Sequence, residues 1–216
     1  MNKEITDKIQ KTDELLANSR IGTILLAIIK LVNDEGKAEY TKISKLVFAG
    51  EDDTNKTAKL NHYMKLLQEE IKFLYFVNRK KKEYKVQKII TRGTNRTEGY
   101  TYDKKRLLEL FIEALKILSS DYIVTEKDRS IIESEELKEY IFNYLVNYST
   151  YLNNLEQGCL WSISDILANI EMHVVVMYYT NKLNEFPKLK EFAELIVSIE
   201  EKERNLFMKK NKEDTK

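Results

Sequence analysis

The chain has few of the residues that usually shape disulfide-rich or metal-binding domains. Its 216 residues include one cysteine, one proline, six glycines and two histidines. The single Cys159 excludes an internal disulfide framework, and together with two separated histidines it supplies no zinc-ligand set. The scarcity of proline and glycine favours a mostly helical protein with short connections. We therefore expect a protein of the reducing cytoplasm with no metal site.

Long apolar runs and a strong net charge are also lacking. The longest apolar runs, residues 24–29 and 174–179, are far shorter than the roughly 20 residues that a membrane span needs. The first residues are charged throughout and lack the apolar core of a signal peptide. A third of the residues are charged, yet the formal net charge is only +1, so any electrostatic argument must be local. These features predict a soluble protein.

Motifs that carry catalysis are not found either. The sequence has no glycine-rich phosphate loop and no serine in a glycine-flanked elbow. Glu171 and His173 are two residues apart, and a helix directs such neighbours to different sides. Cys159 follows a glycine at a predicted helix start, but it has no recognisable histidine partner. We predict a protein that is not an enzyme and needs no cofactor.

Positive charge is instead concentrated in one segment. Residues 79–96 contain eight lysines or arginines against the single acid Glu83, a local net charge of about +7 counted from the sequence. A charge run of this kind is often only a solvated face or turn. Clustered cations are also what a phosphate-binding surface requires, because they replace the counterions released from the nucleic acid.

A helix with a polar face precedes the basic segment. Residues 54–71 place Leu60, Tyr63, Met64, Leu67 and Ile71 on one stripe at spacings of three and four. The opposite face is polar and its first turn offers backbone amides to an anion, while asparagine and lysine side chains can pair with base edges in the major groove. The predicted DNA-binding residues on this helix and in the basic segment are Thr54, Asn55, Lys56, Lys59, Asn61, His62, Lys65, Lys80, Lys81, Lys82, Arg92 and Arg96.

The order of elements around this helix completes a pattern. A helix is predicted from a Ser19 cap to Gly36, apolar on most of its faces, then a short strand at 37–40 and a helix capped by Thr41. The polar-faced helix follows, and residues 84–103 form two short β runs around a turn rich in Gly, Thr, Asn and Arg. In its element types, the segment from about 19 to 103 resembles the winged helix-turn-helix superfamily, and this resemblance implies DNA binding.

One segment departs from that superfamily. Residues 71–83 lie between the expected recognition helix and the expected wing, and they either prolong the helix or add a strand. The sequence leaves open which basic cluster forms the wing.

The second half of the chain is predicted to be a bundle of about four helices. The predicted starts of three of these helices are marked by Asp103, by Ser162 or Ser164, and by Pro187. The last helix has a broad apolar face, formed by Phe192, Leu195, Ile196, Ile199 and Phe207. A weaker amphipathic helix is predicted at residues 4–17. The fold class is therefore mainly α, with a winged helix-turn-helix and small β hairpin at 1–103 followed by a helical bundle at 104–216.

Two functions fit this layout. The favoured one is a non-catalytic, sequence-specific double-stranded DNA-binding protein, a transcriptional regulator or a plasmid or phage DNA-organising factor, that dimerises through its C-terminal helices. The alternative is a helical interaction subunit of a chromosome-structuring or defence complex that uses the winged fold for protein contacts. Seven aromatic residues of the second half (Tyr140, Tyr144, Tyr148, Tyr151, Trp161, Tyr178 and Tyr179) fit core or interface packing better than a cavity for a small-molecule effector.

Overall fold

The structure, a computed structural model, is mainly helical. It describes residues 15–49, 54–68, 71–74, 84–87, 89–93, 99–119, 125–154 and 160–213. Its helices are α1 (Ser19–Glu35), α2 (Tyr40–Val47), α3 (Lys56–Gln68), α4 (Lys104–Leu118), α5 (Glu126–Ile132), α6 (Glu135–Thr150), α7 (Ile163–Tyr179) and α8 (Pro187–Glu213). In the described part of the chain, no helix combines the length and the apolar character that crossing a bilayer requires.

Among the described residues between α3 and α4 there are four short strands. Strands β1 (Ile71–Leu74) and β2 (Tyr84–Gln87) form one antiparallel pair, and β3 (Ile90–Arg92) and β4 (Tyr100–Tyr102) form a second. The register of the second pair sets Ile90 opposite Tyr102 and Arg92 opposite Tyr100. An isolated antiparallel bridge joins Ala38, between α1 and α2, to Tyr100.

Helix α1 is the centre of the core, as its sequence predicts. Every residue from Ile21 to Ile29 is buried, and Gly36 ends the helix in the left-handed conformation with its amide donating to the Val32 carbonyl. The cap differs by one position from the predicted Ser19. Asn18 precedes the helix in an extended conformation, and its side chain accepts a hydrogen bond from the Arg20 amide, which satisfies one of the unpaired donors of the first turn.

For α2 and α3 the structure differs from the sequence-based predictions. Thr41 is not the cap of α2, because Glu39 occupies that position and makes no side-chain cap hydrogen bond. The predicted strand at 37–40 is reduced to the single bridge at Ala38. Helix α3 ends at Gln68, so Ile71 belongs to β1 and not to the apolar stripe of the helix. The segment that departs from the superfamily pattern thus begins as a strand.

The predicted caps of the second half are confirmed. Asp103 caps α4 by accepting from the Arg106 amide, Ser162 caps α7 in a capping box with Asp165, and α8 begins at Pro187. Helix α5 is not among the helices predicted from the sequence. Thr125 caps it in a second capping box, a short-range signal that the sequence does contain.

A single buried cluster extends through both halves of the chain. Helix α1 contacts α2 and β4, which belong to the N-terminal half of the chain, and α6 and α7, which belong to the C-terminal half. A Cβ placed on Gly22 of α1 would lie 2.1 Å from the backbone oxygen of Trp161, just before α7. Close to this contact, the Trp161 amide donates to the Thr23 hydroxyl at 2.8 Å. The domain boundary near residue 103 stays a prediction, and the apolar core is continuous across it.

One buried ion cluster lies in the C-terminal half. Lys116 and Glu113 of α4 are both nearly inaccessible, and their charged atoms are 3.1 Å apart. Lys116 also pairs with Glu133, which follows α5. Burial lowers the pKa of Lys116, but the hydrogen bond to Glu133 and the charge of Glu113 outweigh burial and raise it overall. The cluster therefore keeps its cation and ties α5 to α4.

Candidate nucleic-acid interface

Helix α3 buries one side and exposes the other. Leu60, Met64 and Leu67 are buried, and Tyr63 is half-buried beside them. The spacing of four and three residues places these side chains on one stripe. Because this stripe is committed to the core, the polar residues between its members must face outward.

The structure places the predicted contact residues of this helix on the outward side. Thr54, Asn55, Lys59, Asn61, His62 and Lys65 are exposed, and Lys56 is half-buried. Residues 54–68 contain three lysines and no acid, so the face has one sign of charge. The His62 ring meets the Tyr63 ring edge-on at 5.4 Å between centroids.

The start of α3 is held against the start of α2. The Tyr40 hydroxyl donates a hydrogen bond to the Thr57 carbonyl oxygen at 3.1 Å. Burial, with the charge of Tyr100 as the smaller cause, raises the pKa of Tyr40. The hydroxyl therefore stays neutral and remains a donor at physiological pH. This contact fixes the first turn of α3, and the backbone amides of a helix's first turn are the groups that attract anions.

The β3–β4 hairpin lies beside the other end of α3. The Ile89 amide donates to the Leu67 carbonyl at 3.2 Å, and β3 contacts α3. At the far strand, Ala38 and Tyr100 exchange two backbone hydrogen bonds of 2.9 Å each. Three points of the N-terminal segment, near residues 38, 67 and 100, are thereby locked together.

Gly99 makes the approach to Ala38 close. It has a φ of +68°, and an added Cβ would lie 2.9 Å from the Ala38 carbonyl oxygen. Both observations demand glycine, since other residues rarely adopt this φ and a side chain would collide with backbone. Sequence patterns predict only a turn here, because Ala38 is about 60 residues away along the chain.

Among the described residues of this hairpin, the cationic side chain is that of Arg92. It ends β3, is exposed, and its guanidinium carbon lies 5.9 Å from the centroid of the Tyr100 ring. This placement is loose enough to leave the guanidinium edge available to a phosphate while the ring limits its motion. The structure thus brings Arg92 and the lysines of α3 into one unit of helix and hairpin.

The remaining predicted contacts lie outside the described residues. Lys80, Lys81 and Lys82 fall between β1 and β2, and Arg96 falls between β3 and β4. Each hairpin connection therefore carries basic residues in the sequence. Cys159 also lies outside the described part of the chain.

Metal-binding clusters are not found among the described residues. The two histidines lie in different surroundings, with His62 on α3 and His173 on α7, where its Nδ1 shares a hydrogen bond with the Tyr140 hydroxyl. Comparison of the chain with protein-family models, with curated proteins and with solved structures gives no match. Any functional conclusion must therefore come from the chemistry of the surface itself.

Proposed function

We propose that the chain is a non-catalytic, sequence-specific double-stranded DNA-binding protein that acts as a homodimer, with α3 as its recognition helix. The N-terminal elements would form a winged helix-turn-helix domain in which β3 and β4 are a wing. The observation that carries this proposal is the acid-free outward face of α3, fixed at both ends and joined to a hairpin that carries an exposed arginine.

The order and contacts of the elements support the proposal. From α1 to β4 the chain contains a helix, a backbone bridge, two packed helices and a hairpin that pairs with the bridge residue. Winged domains place the last of their helices in the major groove and the hairpin on the neighbouring backbone. Lysines and asparagines on α3 would then reach phosphates and base edges. The β1–β2 pair is an addition to this plan, and its connection carries the triple-lysine sequence.

The experiment measures DNA affinity at several salt concentrations. We expect the wild type to bind duplex DNA with an affinity that falls steeply with salt, because cation contacts to phosphate release counterions. Replacing Lys59, Lys65 and Arg92 by alanine should weaken binding to every sequence and reduce the slope of log K against log salt by up to about 3.

A matched control removes three cations elsewhere. Lys127, Lys190 and Lys202 are exposed on α5 and α8, so the triple alanine variant has the same change in net charge. Its salt dependence should equal that of the wild type. Equal losses in the two variants would show that only overall charge matters, and absence of binding by the wild type would exclude the proposal.

The alternative is a helical interaction subunit, and one observation favours it. Helix α7 exposes large apolar residues in the C-terminal half, as described below, which is the character of a protein-contact surface. A wild-type protein that ignores duplex DNA at low salt but forms a stable complex with a different protein would support this alternative.

A further inference from the structure

Helix α7 is apolar on the side that faces away from the core. Its buried side includes Ile163, Ile166, Ile170 and Val174. On the opposite side, Met172, Val176 and Tyr179 are 61%, 53% and 67% exposed. These three residues, with Ala168, repeat at spacings of four, four and three and form one stripe. We call this stripe the outward face of α7.

The outward face is unusual for a chain with so many charges. A third of all residues are charged, but α7 has only Asp165 and Glu171, and residues 140–150 of neighbouring α6 have none. A broad apolar face on a helix is normally buried. Loss of charge with enrichment of tyrosine and methionine is the composition of the core of a protein interface.

The surface next to the outward face has the same character. Tyr140, Tyr144 and Tyr148 of α6 form a row of rings, with centroids 6.5 and 5.5 Å apart. His173 of α7 packs on the first two rings, and Trp161 meets the third at 5.2 Å. Burial raises the pKa of Tyr144, and burial followed by the charge of Tyr144 raises the pKa of Tyr140 to about 12, so these two hydroxyls stay neutral. The neutral surface therefore widens from α7 toward α6.

From these observations we propose that the outward face of α7 binds the same face of a second copy, with the two helices antiparallel. This inference rests on the proposed homodimer and locates its interface. A two-fold axis needs a self-complementary surface, in which each residue meets its counterpart across the axis. Met172 lies midway between Asp165 and Tyr179 in the sequence, so it would lie at the axis.

The charges at the two ends of α7 suit this arrangement. Asp165 is exposed in the first turn, and Lys182 is exposed just beyond the last turn, where its amide donates to the Met177 carbonyl. Antiparallel pairing would bring Asp165 of each copy toward Lys182 of the other. It would also place the N-terminus of each helix near the C-terminus of the other, where the two helix dipoles attract each other. Parallel pairing would instead align like charges.

The size of the surface is sufficient for a specific contact. A 17-residue helix is about 25 Å long. The width of its contact surface is the width of the helix itself plus half of the spacing to the next helix on each side. The footprint is then on the order of 500 Å² per copy, or about 1,000 Å² in total, which reaches the lower range of specific interfaces. The occupant that satisfies both the size and the symmetry is a second copy of this chain.

The apolar side of α8 is mostly used within the chain. Phe192 is buried, and Leu195, Ile196 and Ile199 are half-buried. The side chain of Phe207 lies outside the described residues. Exposed apolar surface is thus found on α7, one of the C-terminal helices through which dimerisation is predicted.

The test measures molecular mass without DNA, by light scattering or sedimentation over about 1 to 100 µM, the range suited to a small interface. The wild type should reach twice the chain mass of 25.6 kDa. Met172→Glu and Val176→Glu should each weaken dimerisation at least tenfold, as expected for charges in an interface core. The matched control is Leu118→Glu on α4, where the leucine is 50% exposed, and it should dimerise like the wild type.

A second measurement locates the axis. In a Cys159→Ser background, Met172→Cys should cross-link to itself under mild oxidation or with a short thiol reagent, whereas Leu118→Cys should not. A monomeric wild type, or a dimer that both glutamate variants leave unchanged, would overturn the inference. A monomer that still binds DNA with the expected salt dependence would overturn this interface and leave the DNA-binding proposal standing. A monomer whose α7 face captures another protein or a lipid vesicle would equally overturn it.

Discussion

Burial changes the acidity of Glu171 strongly. It lies on α7, and burial, followed by repulsion from Glu200 of α8, raises its pKa from 4.5 to about 7. The folded protein therefore binds a proton that the unfolded chain releases between these two pH values. Its contribution to stability is fully present below pH 4.5 and is lost as the pH rises through 7.

Replacing Glu171 by glutamine should remove this pH dependence. At pH 8 we expect the variant to be more stable than the wild type by on the order of 2 kcal/mol, and at pH 4 the two should be nearly equal. Urea unfolding at both pH values and at one fixed protein concentration measures the difference. Glu194→Gln, at an exposed position of α8, is the control and should change little at either pH. Equal effects of Glu171→Gln at pH 4 and pH 8 would contradict the assignment.

At the scale of the element, α3 divides its residues between folding and the proposed recognition. Leu60 is fully buried, while its neighbours Lys59 and Asn61 are exposed. One helix can serve both purposes because adjacent residues are about 100° apart around its axis.

Substitutions on the two sides of α3 should therefore have different effects. Asn61→Ala should change the preference among DNA sites by about 1 to 3 kcal/mol for a lost base contact and leave stability nearly unchanged. Leu60→Ala should cost about 2 to 5 kcal/mol of folding free energy. Binding to a panel of duplexes and thermal unfolding distinguish the two. If Asn61→Ala unfolds the protein instead, α3 does not present its polar side to solvent.

For the whole molecule, α1 connects the proposed DNA-binding part to the C-terminal helices. Its N-terminal turns meet the start of α7 through Gly22 and Thr23, and its other contacts reach α2 and β4. A buried helix that touches both halves couples their stability, because neither half can lose it without exposing apolar surface.

Gly22→Ala tests this connection. The added methyl group would collide with the Trp161 backbone oxygen, so we expect a loss of about 1 to 3 kcal/mol or more, as for other overpacked sites. The gain in helix propensity from glycine to alanine, about 1 kcal/mol, opposes this loss. Thr23→Ser keeps the hydroxyl that accepts from the Trp161 amide and serves as the control. A Gly22→Ala protein as stable as the wild type would show that α1 and α7 are not in such close contact.

Much of the helical layout was predictable because its signals are local. Asp103, Ser162 and Pro187 act on the amides of the next turn, and Gly36 acts on the turn before it. Such effects depend on residues fewer than five positions apart. The acid-free polar face of α3 was predictable for the same reason, since the helical period separates its two sides.

Tertiary structure decided what depends on distant partners. Ile71 continues the apolar period of α3, yet it pairs with Gln87 in a strand, because a short apolar run fits either element until a neighbouring strand is present. Gly99 and Gly22 are required by backbone atoms of Ala38 and Trp161.

The two sides of α7 show the same limit at larger scale. The sequence determined that this helix carries only two charged residues, and only the packing of the other helices decided which side is left outside. Periodicity measures the apolar character of a face, whereas burial depends on which elements cover it. That is the physical reason why the exposed face of α7 could be located only in three dimensions.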